Sequence, residues 1–433
     1  MELFLCSLYI AFFGWLILRL RFFKIEGISP WIFVGIFCIK VLSSLLLTLI
    51  YTYYYKDRST ADLFKYFDDS KIIFSAIHHN PFDYFRMVTG INSDASELKH
   101  YYMDCNYWNK KFNYLMYNDN RTIIRFNAIV MLFSFGKFFV HNVFMSFLSF
   151  IGLISIFKIF VCYYETKKWE LLVAIFLLPS VLLWTSGSLK EGIVIFAFGL
   201  FTYSLWTMLN NKFKLVYLMI CISMLFILSI AKYYVILCAI PGILFLFIKR
   251  FLKCKSNILS LTISFIICFI LLLAGRWIGG TFNVINTLTF KQHDFVNLSL
   301  SLGNVGSLVD TTLLKPTLID FIKNVPIALY RSLFKPFPWD VHNILSILPA
   351  LENILLWLLC FLIIFKHSKK NQSAELLIFS ISFAVCLNIL NGLIVPVFGA
   401  LVRYKVPALP FLFASLVCLI DFTVGSKSQS STK

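Results

Sequence analysis

Apolar residues fill eleven stretches of the chain, each close to the roughly 20 helical residues that a bilayer core requires. Their limits are about 2–18, 31–54, 139–161, 170–186, 192–209, 214–231, 233–249, 256–275, 350–366, 374–395 and 405–422. Two of the polar connections between them are long, 55–124 and 276–345. The pattern predicts an all-α, polytopic helical membrane protein: one integral-membrane domain over 1–433, with about 11 transmembrane helices and interfacial helices in the two long loops. A β-barrel would show short alternating segments instead. The stretch 123–137 is apolar but carries Arg125, Asn127 and Lys137, so a helix lying flat at the interface is expected there.

Within the first long loop, residues 60–77 have helical periodicity. Leu63, Phe67, Phe74 and Ile77 fall near one face, and Asp62, Tyr66 and Asp69 share another. Asn80-Pro81 ends the helix. An apolar face held on the bilayer would present the carboxylates at the interface. Asp68 turns away from the other two. The rest of the loop carries Tyr101, Tyr102, Tyr107, Trp108 and Tyr114, either as an interfacial aromatic belt or as a sugar-stacking surface.

Composition supports the membrane class. Hydrophobic residues make up 59% of the chain and charged residues 14%, with mean hydropathy +0.82; soluble domains have about 25% charged residues. The net charge is +18, and its distribution matters more than its size. Alternate connections are basic: Arg19, Arg21 and Lys24; Lys158, Lys167 and Lys168; Lys212 and Lys214; Lys249, Arg250, Lys253 and Lys255; Lys366, Lys369 and Lys370; and the tail 423–433 with Lys427 and Lys433. By the positive-inside rule these are cytoplasmic, with the N-terminus outside and both long loops on the outer face. The loop 55–124, with nine basic and nine acidic residues, shows no positive bias. The basic excess therefore implies topology and anionic membrane lipids, with no nucleic-acid partner. No cleavable signal peptide is expected. Of eleven cysteines only Cys105 lies well inside an outer loop, so no disulfide framework is implied. The abundance of Phe, Ile, Lys and Asn points to an AT-rich bacterial genome and so to a bacterial cytoplasmic membrane.

Charges on the outer side supply candidate chemistry. Lys190 and Glu191 follow Ser186-Gly187-Ser188 between two apolar runs. A lysine at a helix N-terminus suits a phosphate, while Ser188 and Glu191 fit a capping box. Arg331 and Lys335, four apart on one helix face before Pro336-Phe337-Pro338-Trp339, could anchor the interface or clamp a lipid phosphate. Arg403, Tyr404 and Lys405 open the last span from the outer side. Arg125 could snorkel to the interface. His141 reads as a satisfied bundle residue, and Asn388 with Asn391 as partners of a neighbouring helix. Elsewhere ionisable groups gather at span ends.

An acidic residue soon after an early span, a tyrosine four residues on, an interfacial helix ending in Asn80-Pro81, and Arg403 before Pro407-Ala408-Leu409-Pro410 together resemble GT-C integral-membrane glycosyltransferases. They are also similar to bacterial surface-polysaccharide polymerases. In those enzymes the loop follows the first span; here it follows the second. The resemblance implies transfer from polyprenyl-phosphate-linked sugars to a glycan or lipid acceptor at the outer face. It implies Asp62, then Asp69, as base. Lys190, Arg331, Lys335 and Arg403 hold phosphate, with Tyr66, Glu191 and Arg125 in support. A divalent metal near Asp62 and Asp69 is compatible but not required, and polysaccharide-assembly proteins are natural partners. A flippase or transporter would instead place charges in mid-span. A non-catalytic assembly subunit would tolerate replacement of these residues.

Overall fold

The computed structural model describes residues 1–54, 58, 61–109, 117–210, 213–301, 312–341, 344–368 and 373–422. Tyr114, Lys212, Lys369, Lys370 and the tail 423–433 lie outside the described residues. The chain is helical, and among the described residues no strand occurs. Two helices, α1 (Glu2–Arg19) and α2 (Pro30–Tyr54), precede the first loop. That loop carries α3 (Asp62–His79), α4 (Pro81–Thr89), α5 (Lys99–Tyr102) and α6 (Asn120–Ser134). Then come α7 (Phe138–Tyr163), α8 (Lys168–Phe176), α9 (Pro179–Ser186), α10 (Lys190–Asn210), α11 (Leu215–Phe251) and α12 (Asn257–Ile278). The second loop holds α13 (Val284–Ser301) and α14 (Leu318–Phe334), and α15 (Ile344–Phe365), α16 (Ala374–Ile394), α17 (Phe398–Tyr404) and α18 (Leu409–Leu419) complete the chain.

Among the described residues nine helices are long and apolar enough to cross a membrane, or ten if the pair Glu165–Phe176 and Pro179–Ser186, bent by 53°, is one span. The eleven expected spans count α11 twice. At about 1.5 Å per residue its 37 residues far exceed a bilayer core, and Lys232 interrupts it with φ −154° and ψ 77°. Before the break, Cys221 Sγ meets the Phe201 carbonyl and Tyr217 packs edge-on to Tyr203. At the break, Lys232 reaches Glu191 near the start of α10. After it, Gly242 packs against Phe379 and Ser382 of α16. The element therefore doubles back at Lys232.

Packing sorts the spans. Most residues of Phe398–Leu419 are buried within the bundle, whereas Asn257–Ile278 buries only Ser260, Ser264 and Gly275 and exposes Phe265, Ile266, Phe269 and Ile270. The first is central and the second has the apolar outer surface expected of a lipid-facing helix. At the centre α7 and α10 approach so closely that a Cβ at Gly152 or Gly199 would collide with the opposite backbone. Small residues allow such contact, which drives helix association in lipid. Gln292 fastens the second loop to the bundle, donating to the Leu393 carbonyl at 2.9 Å and accepting from Leu314 N–H at 2.8 Å.

One sequence expectation changes here. The helix α3 does not lie bare on the bilayer: Leu63, Tyr66, Phe67, Asp69 and Ile73 are all buried, and α4 and α6 wrap it. The helix α6 packs inward through Ile123, Ile124, Asn127 and Ala128 and keeps Ile129, Leu132 and Phe133 exposed. Burying α3 on several faces removes more apolar area from water than one lipid contact could.

Candidate functional site

Three distant segments meet at one end of the bundle. The first turn of α3 supplies Asp62, the start of α10 supplies Lys190 and Glu191, and α17 supplies Arg403. Arg403 Nη1 lies 2.7 Å from Asp62 Oδ2 across 341 positions of sequence. Its Nε lies 2.9 Å from Glu191 Oε1, close enough for an ion pair although not aligned for a hydrogen bond. The same Glu191 oxygen accepts from Lys232 Nζ at 2.7 Å, and its other oxygen is buried with no hydrogen-bond partner. Lys190 Nζ contacts Asp119 Oδ2 at 2.7 Å and Asn120 Oδ1 at 2.8 Å. Tyr66 OH donates to the same Asn120 oxygen at 3.1 Å. Three cations thus face three carboxylates. Such charges in an apolar bundle are costly unless paired.

Asp62 sits at the open edge, with about a third of its side chain exposed, while Glu191 is wholly buried. Burial alone would raise the Asp62 pKa. The Arg403 guanidinium outweighs it, helped by the Tyr107 hydroxyl donating at 2.7 Å, and holds the carboxyl below its ordinary value. Burial and the Asp62 charge push the Tyr66 phenol well above its ordinary value, so it stays a neutral donor.

Asp69 serves a different purpose. It is fully buried and accepts from the N–H groups of Asn106 and Tyr107, both at 2.7 Å, and from Asn106 Nδ2 at 3.2 Å. Burial raises its pKa despite those amides. It anchors the strip of loop that aims Tyr107 at Asp62. Asp68 pairs with exposed Arg58 at 2.9 Å. Among the described residues no group of three or more His, Cys, Asp or Glu side chains is placed to hold a metal ion.

Several sequence-derived assignments are corrected. Glu191 forms no capping box; its carboxylate is taken by Lys232 and Arg403, and Ser188 Oγ donates instead to Asn127 Oδ1 at 2.5 Å. Arg125 does not snorkel: it donates to the Met87 carbonyl at 2.8 Å and to Ser93 Oγ at 3.2 Å, tying α4 and its following loop to α6. Arg331 and Lys335 share no helix face, because α14 ends at Phe334 and Lys335 is extended. Among the described residues no ion pair links either to the Asp62 cluster. Tyr102 and Trp108 stack at 4.7 Å inside the loop, so they form its core rather than a belt. Ionisable groups also occur within spans: Lys40, Glu352 and Lys405 are all buried. Lys40 donates to Thr185 Oγ1 at 2.6 Å and Lys405 to Asn353 Oδ1 at 3.2 Å. His141 has both ring nitrogens occupied, by Ser134 and Asn127, and Asn388 accepts from Ser332 of α14.

Sequence reasoning missed Asp119, Asn120 and Lys232. A lone lysine at position 232 between two apolar runs was the available signal, because such a charge needs a partner.

A cavity of about 300 Å³ opens beside the cluster, lined in part by Asp119, Lys232, Tyr233 and Tyr234. No family model matches the chain, and no curated protein or solved structure matches it significantly.

Proposed function

We propose that the chain is a membrane glycosyltransferase that uses polyprenyl-phosphate-linked sugar donors and a glycan or lipid acceptor in surface-polysaccharide or glycolipid assembly. With the two halves of α11 as separate spans, it crosses a bacterial cytoplasmic membrane eleven times, with the N-terminus outside and the cluster on the outer face. The observation that carries the reading is the Asp62–Arg403–Glu191–Lys232 array, a partly exposed carboxylate held by a cation at the end of an apolar bundle.

Transfer needs a base for the acceptor hydroxyl and cations for the departing phosphate. A carboxylate clamped by arginine is a weak base. A lipid phosphate would compete for Arg403, and Asp62 would then recover basicity only when donor is bound. The acceptor oxygen bonds to the anomeric carbon as the bond from that carbon to the phosphate oxygen breaks. The acceptor proton passes to Asp62, and Arg403, Lys190 and Lys232 stabilise the leaving phosphate.

The test is complementation of a strain deleted for the gene, with surface glycans scored on gels. Asp62→Asn and Arg403→Ala, at wild-type membrane levels, abolish glycan assembly if the reading holds. Intact glycans in both variants would refute it. A second reading, a transporter for lipid-linked sugars, draws on Lys40, Glu352 and Lys405, buried inside spans. It expects lipid-linked oligosaccharide to accumulate on the inner face when these residues, rather than Asp62, are replaced.

A further inference from the structure

The cavity beside Lys232 has polar and aromatic walls. Tyr117, Asp119, Lys232, Tyr233, Tyr234 and Lys291 contribute to it. Aromatic rings, a carboxylate and ammonium groups around one hollow are the chemistry that recognises a polyhydroxylated ring: C–H faces stack on tyrosine while hydroxyls exchange hydrogen bonds with charged groups. The cavity's volume of about 300 Å³ is at the lower end of ligand pockets, which run from about 300 to 1,000 Å³. It suits a single ring and not a chain of them. Lys232 belongs both to this wall and to the Glu191–Arg403 array, so a ring held here lies next to the charges.

We infer that this cavity is a sugar-binding subsite for one ring. The identity of the ligand as a sugar rests on the transferase reading; the existence of a polar-ligand site beside Lys232 does not.

The experiment uses the full chain in nanodiscs and saturation-transfer NMR with a panel of methyl glycosides, with inorganic phosphate as a second probe. Two variants are compared with wild type. Lys291→Met removes one lining donor, and Ser229→Trp fills the cavity from an exposed lining position. A subset of glycosides is expected to bind wild type. Their affinity should fall roughly three- to tenfold in Lys291→Met, as for one lost hydrogen bond, and vanish in Ser229→Trp, with thermal unfolding unchanged. Phosphate should not displace them. The inference is overturned if no glycoside binds wild type, if both variants bind as wild type does, or if phosphate alone occupies the cavity. Asp62→Asn separates the two ideas. Should it keep full glycan assembly while the cavity variants lose glycoside binding, the transferase reading fails and the subsite stands.

Discussion

Cations at the two ends of this bundle meet different acceptors. At one end Lys190, Lys232 and Arg403 each face a carboxylate, Asp119, Glu191 and Asp62 or Glu191 respectively. At the other, Lys167 donates to the carbonyls of Val417, Cys418 and Ile420, and Lys158 to that of Phe22. The second group satisfies chain ends that a helix leaves without partners and complements the helix dipole there. Those carbonyls are fixed acceptors. A carboxylate partner can instead be displaced by another anion, or can accept a proton once its cation leaves. Paired charges thus have a reason to be chemical where carbonyl-capped charges are structural.

Replacing Arg403 breaks that comparison most severely. Arg403→Ala leaves Asp62 and Glu191 short of a cation. It should cost about 3–5 kcal/mol of stability, as for a buried pair losing one member, together with all glycan assembly. Arg403→Lys should recover much of the stability and little of the activity, because one ammonium cannot bridge both carboxylates. Thermal unfolding in detergent and glycan gels measure the two.

Asp62→Asn is the sharper change. Tyr107 can still hydrogen-bond to the amide, so unfolding should shift modestly while turnover falls roughly 10²- to 10⁴-fold for loss of a general base. A next-smaller effect is expected at the opposite end. Lys167→Met should lower stability by about 1–3 kcal/mol through unsatisfied carbonyls and leave turnover per folded molecule unchanged. A loss of turnover there would erase the distinction between the ends.

The smallest effect is on pH dependence. The folded Asp62 pKa is depressed, so its contribution to stability is full above the ordinary carboxylate value near 4 and is lost as pH falls through the folded value. Acid destabilisation of wild type should therefore continue below about pH 4. In Asp62→Asn that part of the slope should disappear, as thermal unfolding in nanodiscs at a series of acid pH values would record.

The spans were legible because each is a run of apolar residues with almost no alternative to a membrane helix. Asp62, Lys190 and Arg403 were legible as outer-side charges, but nothing local says that Arg403 meets Asp62; that contact depends on the packing of α17. Glu191 was misread because Ser188 and Glu191 have cap spacing, while its real partners are 41 and 212 positions further along the chain (232 − 191 and 403 − 191). Asp69 drew notice as a carboxylate on the face of Asp62, yet Asn106 and Tyr107 turn it into a loop anchor. Lys232 was hidden between two apolar runs, where only its partner explains it.

On the transferase reading, donor phosphate takes Arg403 and frees Asp62 as base. Purified chain in proteoliposomes with a matched polyprenyl-phosphate-linked sugar and acceptor tests it directly, by acceptor-dependent release of polyprenyl phosphate. Release is expected with wild type, none with Asp62→Asn, and donor binding should be undiminished in that variant. Release at the wild-type rate from Asp62→Asn would contradict it.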